Sequence, residues 1–334
     1  MFDFHLHLAR LPHKKQLTQL LCDRKYDFVA VACEPWEWNE VAQLKKEFSS
    51  EIKPFMVSYG IHPMMATQTN DEMFEKLREF LKDNEHAMVG EAGIDKRYPG
   101  YEDGTQDQVF LEQAKLAVEL GRDLQIHCVG NYMRVLRLLA EVGFEQGQPN
   151  ALELQKAPRP IFHRFGGDLN VVKKAIPYGV LFSLHADSFR KKSTIAAIPH
   201  IPQERVFFET DADETFMRGN SATAKGPVTS TAIVDPGTGS GVTDKGVAGV
   251  TSESAAGVTS ESAENTDNVT ANDNNATANA DNVILNNAKD SETSSSAFPT
   301  RPDRESNDVT PEAILAELEK RIESVRAAYA ECRE

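Results

Sequence analysis

Short apolar segments alternate with amphipathic segments from the first residues of this 334-residue chain almost to its end. The apolar segments, such as residues 28–33, have the length and the β-branched or small side chains of buried strands. The segments between them, such as residues 71–84, repeat their apolar side chains at the spacing of one helical face. About eight strand–helix pairs follow one another, and this order predicts an α/β fold, a (β/α)8 TIM barrel. We expect its strands at residues 2–6, 28–33, 54–59, 87–91, 124–127, 160–162, 180–184 and 206–209.

One long segment, residues 219–308, interrupts the alternation before the final helix. It is rich in Ser, Thr, Asn, Ala, Gly and Asp, and it repeats Gly-Val-Thr-Ser-Glu-Ser-Ala at 249–255 and 257–263. Because it has almost no large apolar side chains, it cannot bury enough surface to offset the entropy of ordering. We predict a disordered low-complexity insertion, either a flap or tether beside the site or a loop expansion without a role.

The insertion divides the chain into three predicted parts. Residues 1–218 hold the eight barrel strands with their intervening helices, residues 219–308 form the insertion, and residues 309–334 form the helix that completes the barrel. Thr310 and Pro311 are typical of the N-cap and the first turn of that helix.

The formal net charge of −15 argues at first against a nucleic-acid partner. More than half of it lies in residues 219–308, which hold 5 basic and 13 acidic side chains, whereas residues 1–218 hold 27 basic and 32 acidic ones. Metal cations bound by some of these acidic side chains would also reverse the local field. The net charge of the chain therefore does not exclude a polyanionic substrate.

The hydropathy of the chain predicts neither export nor membrane insertion. The start, Met-Phe-Asp-Phe-His-Leu-His, has no basic region followed by a long apolar one, and no apolar run approaches the ~18 residues of a membrane span. Cys22, Cys33, Cys128 and Cys332 lack the paired spacing of a disulfide framework or a zinc ribbon. We predict a cytoplasmic protein with reduced thiols, no membrane contact and no obligate protein partner.

Histidines end the first predicted strand in the pattern Asp3-Phe-His5-Leu-His7. Side chains alternate between the two faces of a strand, so these three residues are expected on one side, with Phe4 and Leu6 on the other. At the C-terminal mouth of a barrel, imidazoles two residues apart reach one metal ion. A half-buried strand with hydrogen-bonded histidines is the alternative.

Further ligand candidates stand at the ends of later strands, where the catalytic residues of barrel enzymes lie. Glu91 has Gly90 and Gly93 on either side, which lets backbone and ligand approach closely, and its two oxygens suit a bridge between two metals. The complete set of ligand candidates is His5, His7, Glu91, His127, His163 and Asp211. This nitrogen and oxygen set suits Zn²⁺, Mn²⁺ or Mg²⁺, and two such ions could clamp a phosphodiester.

Some side chains near these ligands are expected to act on the reaction or the substrate. Asp211 falls where it could also take a proton from the attacking water, while Glu209 and Thr210 hold the local structure. His62, which Pro63 restricts to an extended backbone, would either contact substrate or serve the structure alone.

These motifs resemble those of the TatD family of metal-dependent deoxyribonucleases. Asp-x-His-x-His, Gly-Ile-His-Pro, Gly-Glu-x-Gly-Ile-Asp, the strand-end residues His127 and His163, and Glu-Thr-Asp-Ala occur in the family's order over residues 1–213. Gln106 and Phe110 are similar to its Gln-x-x-x-Phe. The resemblance implies a barrel of the metal-dependent hydrolase type that cleaves phosphodiester bonds, with single-stranded DNA as the expected substrate.

The resemblance also implies a role for each candidate. The implied ligands are His5, His7 and Asp211 for one ion, His127 and His163 for a second ion, and Glu91 for both. A water between the ions would attack phosphorus with Asp211 as the general base, and His62 would help to position the phosphate.

Two departures from the family pattern bear on the substrate. The family usually has Arg two residues after the fifth-strand His, where this chain has Val129, and Pro where it has Asp213. A phosphate contact is therefore expected to be missing, or to be compensated by other basic side chains. Residues 159–192 hold seven basic and two acidic side chains, which either bind phosphate or form a solvated face. The candidates in this stretch are Arg164, Arg190, Lys191 and Lys192.

Two other functions stay open at this point. One is a hydrolase of the wider amidohydrolase-type superfamily that acts on an amide, a lactone or a phosphotriester, and the other is a non-catalytic metal-binding barrel. Many amidohydrolases use a modified Lys where this chain has Glu91, which argues against the first. The complete ligand set argues against the second.

Overall fold

The structure, a computed structural model, describes residues 2–48, 55–144, 158–217 and 309–333, all within one compact unit. Among these residues, eight parallel strands form one sheet, in the same order in space as in sequence. The strands are β1 (Phe2–Leu6), β2 (Asp27–Ala32), β3 (Phe55–Tyr59), β4 (Met88–Asp95), β5 (Leu124–Val129), β6 (Pro160–Phe162), β7 (Leu181–Leu184) and β8 (Val206–Phe208).

The chain beyond β8 returns to β1 and nearly closes the sheet into a barrel. The backbone N–H of Asp211 donates to the carbonyl oxygen of His5 at 3.0 Å, and that of His7 donates to the carbonyl of Ala212 at 2.9 Å.

Helices connect the strands, as the parallel arrangement requires. They are α1 (Lys14–Asp23), α2 (Pro35–Phe48), α3 (Asp71–Asp83), α4 (Thr105–Leu120), α5 (Tyr132–Glu141), α6 (Leu169–Ala175), α7 (Lys192–Ala197) and α8 (Pro311–Arg333). The predicted (β/α)8 barrel is confirmed.

Apolar side chains pack on both sides of the sheet. A small cluster drawn from opposite strands, including Phe4, Val29 and Ile161, fills the inside of the barrel below its mouth. A larger cluster, including Trp38 and Phe110, fills the space between the strands and the helices. The apolar filling ends before the carboxyl ends of the strands, where polar side chains take its place.

The side chains of β1 do not follow the alternation that the sequence predicts. The register of β1 against β2 shifts between Asp3 and Leu6, so β1 holds one extra residue there. Phe4 and His5 consequently both face the inside of the barrel, whereas Asp3 turns outward beside side chains of α1 and α8. The prediction that Asp3 shares the face of the two histidines is therefore wrong. Its carboxylate instead accepts hydrogen bonds from Thr210 N (3.0 Å) and Thr210 Oγ1 (2.6 Å).

Strand β4 extends four residues beyond its predicted end at residue 91. It pairs with β5 as far as Asp95, opposite Val129. Gly93 permits this approach, because a Cβ atom at that position would lie 1.9 Å from the carbonyl oxygen of His127, and its φ of +155° suits glycine. The glycine thus serves the close contact of two strands rather than the approach of a ligand.

Helix α8 begins as predicted, with Thr310 Oγ1 accepting a hydrogen bond from the backbone N–H of Ala313 at 3.2 Å. Tyr26 donates to Glu319, which links α8 to the loop between α1 and β2. The predicted insertion at residues 219–308 lies outside the described residues. Within the described ranges, none of the helices combines the length and the apolar character needed to cross a membrane.

Candidate metal centre

Glu91 lies at the centre of a polar cluster at the C-terminal mouth, and its two carboxylate oxygens face different histidines. Oε2 lies 3.5 Å from His5 Nε2 and 3.6 Å from His7 Nε2. Oε1 lies 2.8 Å from His163 Nε2 and forms a short contact with His127 Nδ1. One buried carboxylate therefore joins two groups of ring nitrogens.

The first group consists of His5, His7 and Asp211. His5 Nε2 and His7 Nε2 are 3.4 Å apart, and Asp211 Oδ1 lies 3.4 Å from His7 Nε2 and 3.8 Å from His5 Nε2. Ligands at the usual 2.0–2.1 Å from a tetrahedral ion lie roughly 3.4 Å from one another. These three side chains therefore have the spacing of ligands to one cation.

The second group consists of His127 and His163, whose facing nitrogens, Nδ1 and Nε2, are 3.3 Å apart. Each ring is held from behind by a carboxylate: His127 Nε2 lies 2.9 Å from Asp95 Oδ2, and His163 Nδ1 lies 3.2 Å from Glu209 Oε1. A ring that donates its N–H to a carboxylate presents the lone pair of its other nitrogen on the opposite side. Both lone pairs then face the carboxylate of Glu91. Because the lone pairs and the carboxylate are all acceptors, a proton or a metal cation is needed between them.

Burial and opposite charge act against each other in this cluster. Burial raises the pKa of Glu91, but the imidazoles of His163, His127 and His62 outweigh it and hold the pKa well below its usual value. Burial lowers the pKa of His163, but the carboxylates of Glu91 and Glu209 outweigh it and hold that pKa well above its usual value. Without a metal, protons on the rings compensate the carboxylates, and a divalent cation would replace that positive charge.

His62 differs from the other histidines of the cluster in the proton that it presents. Its Nδ1 accepts a hydrogen bond from the backbone N–H of Met64 at 3.0 Å. Burial lowers the pKa of His62 to about 3, so the ring is neutral and its one proton resides on Nε2. Nε2 lies 3.8 Å from Glu91 Oε1. The ring therefore offers a hydrogen-bond donor to the mouth, although the atoms of His62, Glu91 and His127 are close enough for a shared ion.

Arg10 occupies a third set of close donor atoms, formed by His7, Cys33 and Glu37. Its Nε contacts Glu37 Oε1, and its Nη2 donates to Glu34 Oε1 at 2.7 Å and lies 3.6 Å from Cys33 Sγ. A guanidinium in this position supplies the positive charge that a metal would otherwise bring. Cys33 Sγ lies 4.0 Å from His7 Nδ1, so this network contacts the side of the His7 ring that faces away from Glu91.

Arg164 approaches the cluster from the loop after β6. Its Nη1 donates to Asp211 Oδ2, and its Nε donates to Asp187 Oδ2 at 3.1 Å. Arg190 pairs with the same Asp187 at 2.8 Å. The structure thus brings the predicted phosphate contact Arg164 to Asp211, and it connects Arg190 to the mouth through one carboxylate.

Lys191 and Lys192 stay apart from the ligands. Both side chains are exposed at the start of α7. Among the contacts that the described residues make, none joins either lysine to the ligand cluster.

Sequence reasoning assigned no role to Asp95, Arg10 or Asp187. Asp95 was detectable, because alternation along β4 from Glu91 through Gly93 puts it on the same face as the ligand. Arg10 and Asp187 gave no signal in the sequence, because Glu34 and Glu37 are distant along the chain from Arg10, and Arg164, which connects Asp187 to the cluster, is likewise distant from Asp187.

A (β/α)8 barrel with imidazoles and carboxylates gathered at its C-terminal mouth is an architecture of metal-dependent hydrolases. A model of the TatD-related DNase family matches residues 2–232, and the chain belongs to this family. The family is metal-dependent, in agreement with the candidate metal-binding groups of this structure.

Relatives with names and solved structures match parts of the chain. It is 28% identical over 156 residues to a "3'-5' ssDNA/RNA exonuclease TatD" of Pectobacterium atrosepticum, a match that covers 46% of this chain and 56% of the relative. It is 29% identical to a protein of the same name from Cronobacter sakazakii, over 46% of this chain and 55% of that one. The chain thus spans little more than half the length of these relatives.

Among solved structures, the fold is similar to that of the TatD homolog YJJV from Escherichia coli k12. The TM-score is 0.52 at 20% sequence identity, over 64% of this chain and 79% of that one. This likeness supports the barrel fold.

Proposed function

We propose that the chain is a metal-dependent nuclease that hydrolyses phosphodiester bonds in single-stranded nucleic acid and removes nucleotides from the 3' end. The observation that carries the proposal is the position of Glu91, with Oε2 toward His5 and His7 and Oε1 toward His127 and His163. The family of the chain and the names of its relatives support the substrate class and the direction.

The proposed cofactors are two divalent metal ions, Mg²⁺, Mn²⁺ or Zn²⁺. The proposed ligands are His5, His7 and Asp211 for one ion, His127 and His163 for the other, and Glu91 for both. Four imidazoles favour Mn²⁺ or Zn²⁺ over Mg²⁺, which prefers oxygen ligands. When bound, the ions would polarise the phosphodiester and lower the pKa of the attacking water.

Asp211 is the proposed general base. Its Oδ2 accepts from Arg164, which leaves Oδ1 directed toward the nitrogens of His5 and His7. A carboxylate held by an arginine on one oxygen keeps the other oxygen in a fixed direction. Asp211 is thereby oriented to accept a proton from a water beside the cluster.

His62 is the proposed donor to the phosphate. Its Nδ1 is occupied by Met64 N–H, so Nε2–H is available to a non-bridging phosphate oxygen above Glu91. Arg164, Arg190, Lys191 and Lys192 are the proposed further contacts to the backbone of the strand. We also infer a cytoplasmic location without an obligate protein partner, in keeping with four free cysteine thiols.

The test is cleavage of labelled single-stranded DNA and RNA of one sequence by the full chain, with Mg²⁺, Mn²⁺ or Zn²⁺ added. A 5'-labelled strand should shorten stepwise from its 3' end. Asp211→Asn should lower the rate by at least ~10²-fold, as expected for loss of a general base. Asp213→Asn is the matched control, because the carboxylate of Asp213 accepts hydrogen bonds only from its neighbour Thr215 in the described contacts.

The alternatives predict different results in the same experiment. Hydrolysis of small cyclic amides, lactones or phosphotriesters without cleavage of nucleic acid would indicate a function in the wider superfamily. Bound metal without hydrolysis of any of these substrates would indicate a non-catalytic barrel.

A further inference from the structure

Arg97 lies beside the ligand cluster, directly after β4. Its backbone N–H donates to Asp95 Oδ1 at 2.9 Å. Its guanidinium donates to the same carboxylate, from Nε to Oδ1 at 2.9 Å and from Nη2 to Oδ2 at 2.5 Å. Asp95 also contacts His127 Nε2 at 2.9 Å. One carboxylate therefore separates this guanidinium from a proposed metal ligand.

The guanidinium of Arg97 is held in place and yet exposed. Its bonds to Asp95 use the edge formed by Nε and Nη2, so the edge that carries Nη1 lies on the other side. The side chain is 59% exposed, whereas that of Asp95 is fully buried. Because the fork is already oriented, an anion that binds its open edge costs little conformational entropy.

Arg164, another arginine at the mouth, has more of its N–H groups engaged by acids. Its Nη1 donates to Asp211, and both its Nε and its Nη2 donate to Asp187. Two carboxylates thus engage Nε, Nη1 and Nη2 of Arg164, whereas one carboxylate engages only Nε and Nη2 of Arg97. Among the described contacts, Arg97 consequently keeps its Nη1 for a further anion.

The pairing of β4 with β5 brings Arg97 next to Val129. Asp95 is opposite Val129 in the sheet, and the backbone N–H of Lys96 donates to the carbonyl oxygen of Val129 at 2.9 Å. The two positions therefore lie side by side at the mouth, and Val129 is half-buried there. A basic side chain at either position would reach the same region of the mouth.

The neighbouring Tyr98 connects Arg97 to the side of the mouth where His62 lies. The Tyr98 ring is 5.7 Å from the His62 ring, and the Arg97 guanidinium is 5.8 Å from the Tyr98 ring. Arg97 and the Nε2–H donor of His62 thus border one region, which is adjacent to His127.

We propose that Arg97 binds a phosphate of the single-stranded substrate with the open edge of its guanidinium, and that it does so in the region above Val129. This inference rests on the proposed nuclease function. The phosphate would lie between the Arg97 edge and His62 Nε2–H. Asp95 would be the positioning residue, since it orients both Arg97 and His127.

The experiment compares Arg97→Gln with Arg78→Gln in the full, metal-loaded chain. Arg78 pairs with Glu119 on the outer helices, at 2.7 Å, so its substitution changes the charge equally without touching the mouth. The readouts are KM and kcat for a labelled oligothymidylate, metal content, and the affinity for that strand as a function of salt. We expect Arg97→Gln to raise KM roughly tenfold to thirtyfold, as for the loss of a charged hydrogen bond. The slope of log affinity against log salt should fall by about 0.7.

The double variant Arg97→Gln, Val129→Arg supplies a rescue. Because position 129 reaches the same region, the double variant should recover most of the loss in KM and in salt slope.

Equal KM values for Arg97→Gln and Arg78→Gln would overturn the inference and leave the nuclease function standing. A loss of kcat and metal content at unchanged KM would likewise overturn it, since Arg97 would then act only through Asp95. A wild-type chain that binds strands without cleaving them would contradict the proposed function, while the affinities of the variants would still decide the role of Arg97. A wild-type chain that neither binds nor cleaves would overturn both.

Discussion

His163 Nε2 lies 2.8 Å from Glu91 Oε1, so an imidazole at the end of β6 meets a carboxylate of β4 across the mouth of the barrel. The far side of the ring is held by Glu209, through a 3.2 Å contact to Nδ1. The distance is therefore set by the sheet and by a second carboxylate, rather than by the two side chains alone. This preorganisation is what a bridging ligand requires.

Glu91→Gln should remove the bridge between the two ligand groups. A neutral amide cannot compensate the rings around it, and only one of its two polar ends is an acceptor. We expect metal content to fall from the proposed two ions per chain to one or none, and nuclease activity to fall by at least ~10³-fold, because the proposed two-metal stabilisation of the reaction would be lost. Elemental analysis of the purified variant measures the first quantity. The exposed Glu112→Gln is the control and should keep both ions.

Removal of metal by a chelator should lower the melting temperature of the wild-type chain. A ligand at 100 times its Kd stabilises the folded state by about 2.7 kcal/mol, which corresponds to roughly 5–10 °C for a domain of this size. Readdition of Mn²⁺ or Zn²⁺ should restore the melting temperature. An identical shift in Glu91→Gln would show that the metal binds elsewhere.

His62→Gln should keep both metals and part of the activity, because the Gln amide still offers an N–H donor. We expect kcat/KM to fall about tenfold, and about a hundredfold in His62→Ala, in line with the value of a donor to a developing charge. With a pKa of about 3, His62 stays neutral from pH 5 to pH 9, so the acid limb of the pH profile should be the same in wild type and His62→Gln. Loss of one metal equivalent in either variant would instead identify His62 as a ligand.

Gly93→Ala should destabilise the barrel at the mouth. The added Cβ would lie 1.9 Å from the carbonyl oxygen of His127, so β4 and β5 must separate. We expect a loss of at least ~3 kcal/mol in the free energy of unfolding, above the ~1 kcal/mol that a left-handed backbone costs alanine. Gly121→Ala isolates that second cost, because Gly121 has a φ of +62° and open space around it. Equal urea midpoints for the two variants would refute the steric argument.

Arg10→Gln should destabilise the chain because Glu37, whose side chain is fully buried, would lose its cationic partner. Breaking a buried pair costs about 3–5 kcal/mol. The matched control is Lys15→Gln, since Lys15 and Glu47 form an exposed pair at 2.9 Å, for which less than ~1 kcal/mol is expected. Chemical denaturation of both variants gives the comparison, and a midpoint for Arg10→Gln that equals the control would contradict the role of Arg10.

The order of the strands and the position of His163 directly after β6 followed from the sequence alone, whereas β5 runs two residues beyond its predicted end at His127. Both depend on local periodicity: apolar segments of strand length, and a polar residue that ends each segment. In a parallel barrel all carboxyl ends meet at one mouth, so residues distant along the chain are brought together by the topology itself. For that reason a cluster of ligand residues at the mouth could be anticipated, while the resemblance of the motifs implied the metal-dependent family.

Other features depended on contacts that no local pattern records. The outward turn of Asp3 follows from an extra residue in β1, and alternation along the sequence gives no indication of it. The proton position on His62 depends on a backbone N–H, and the support of His7 depends on Arg10 and Cys33.

The sequence by itself determined which elements form and which side chains end them, because secondary structure and strand polarity obey periodicities that can be read over a few residues. The tertiary structure alone decided which nitrogen of each ring faces Glu91, which carboxylate holds it, and which arginine keeps an open edge. The first two properties arise from contacts between residues dozens of positions apart, and the third arises from the position of the Arg97–Asp95 pair beside His127, so all three exist only once the barrel is closed.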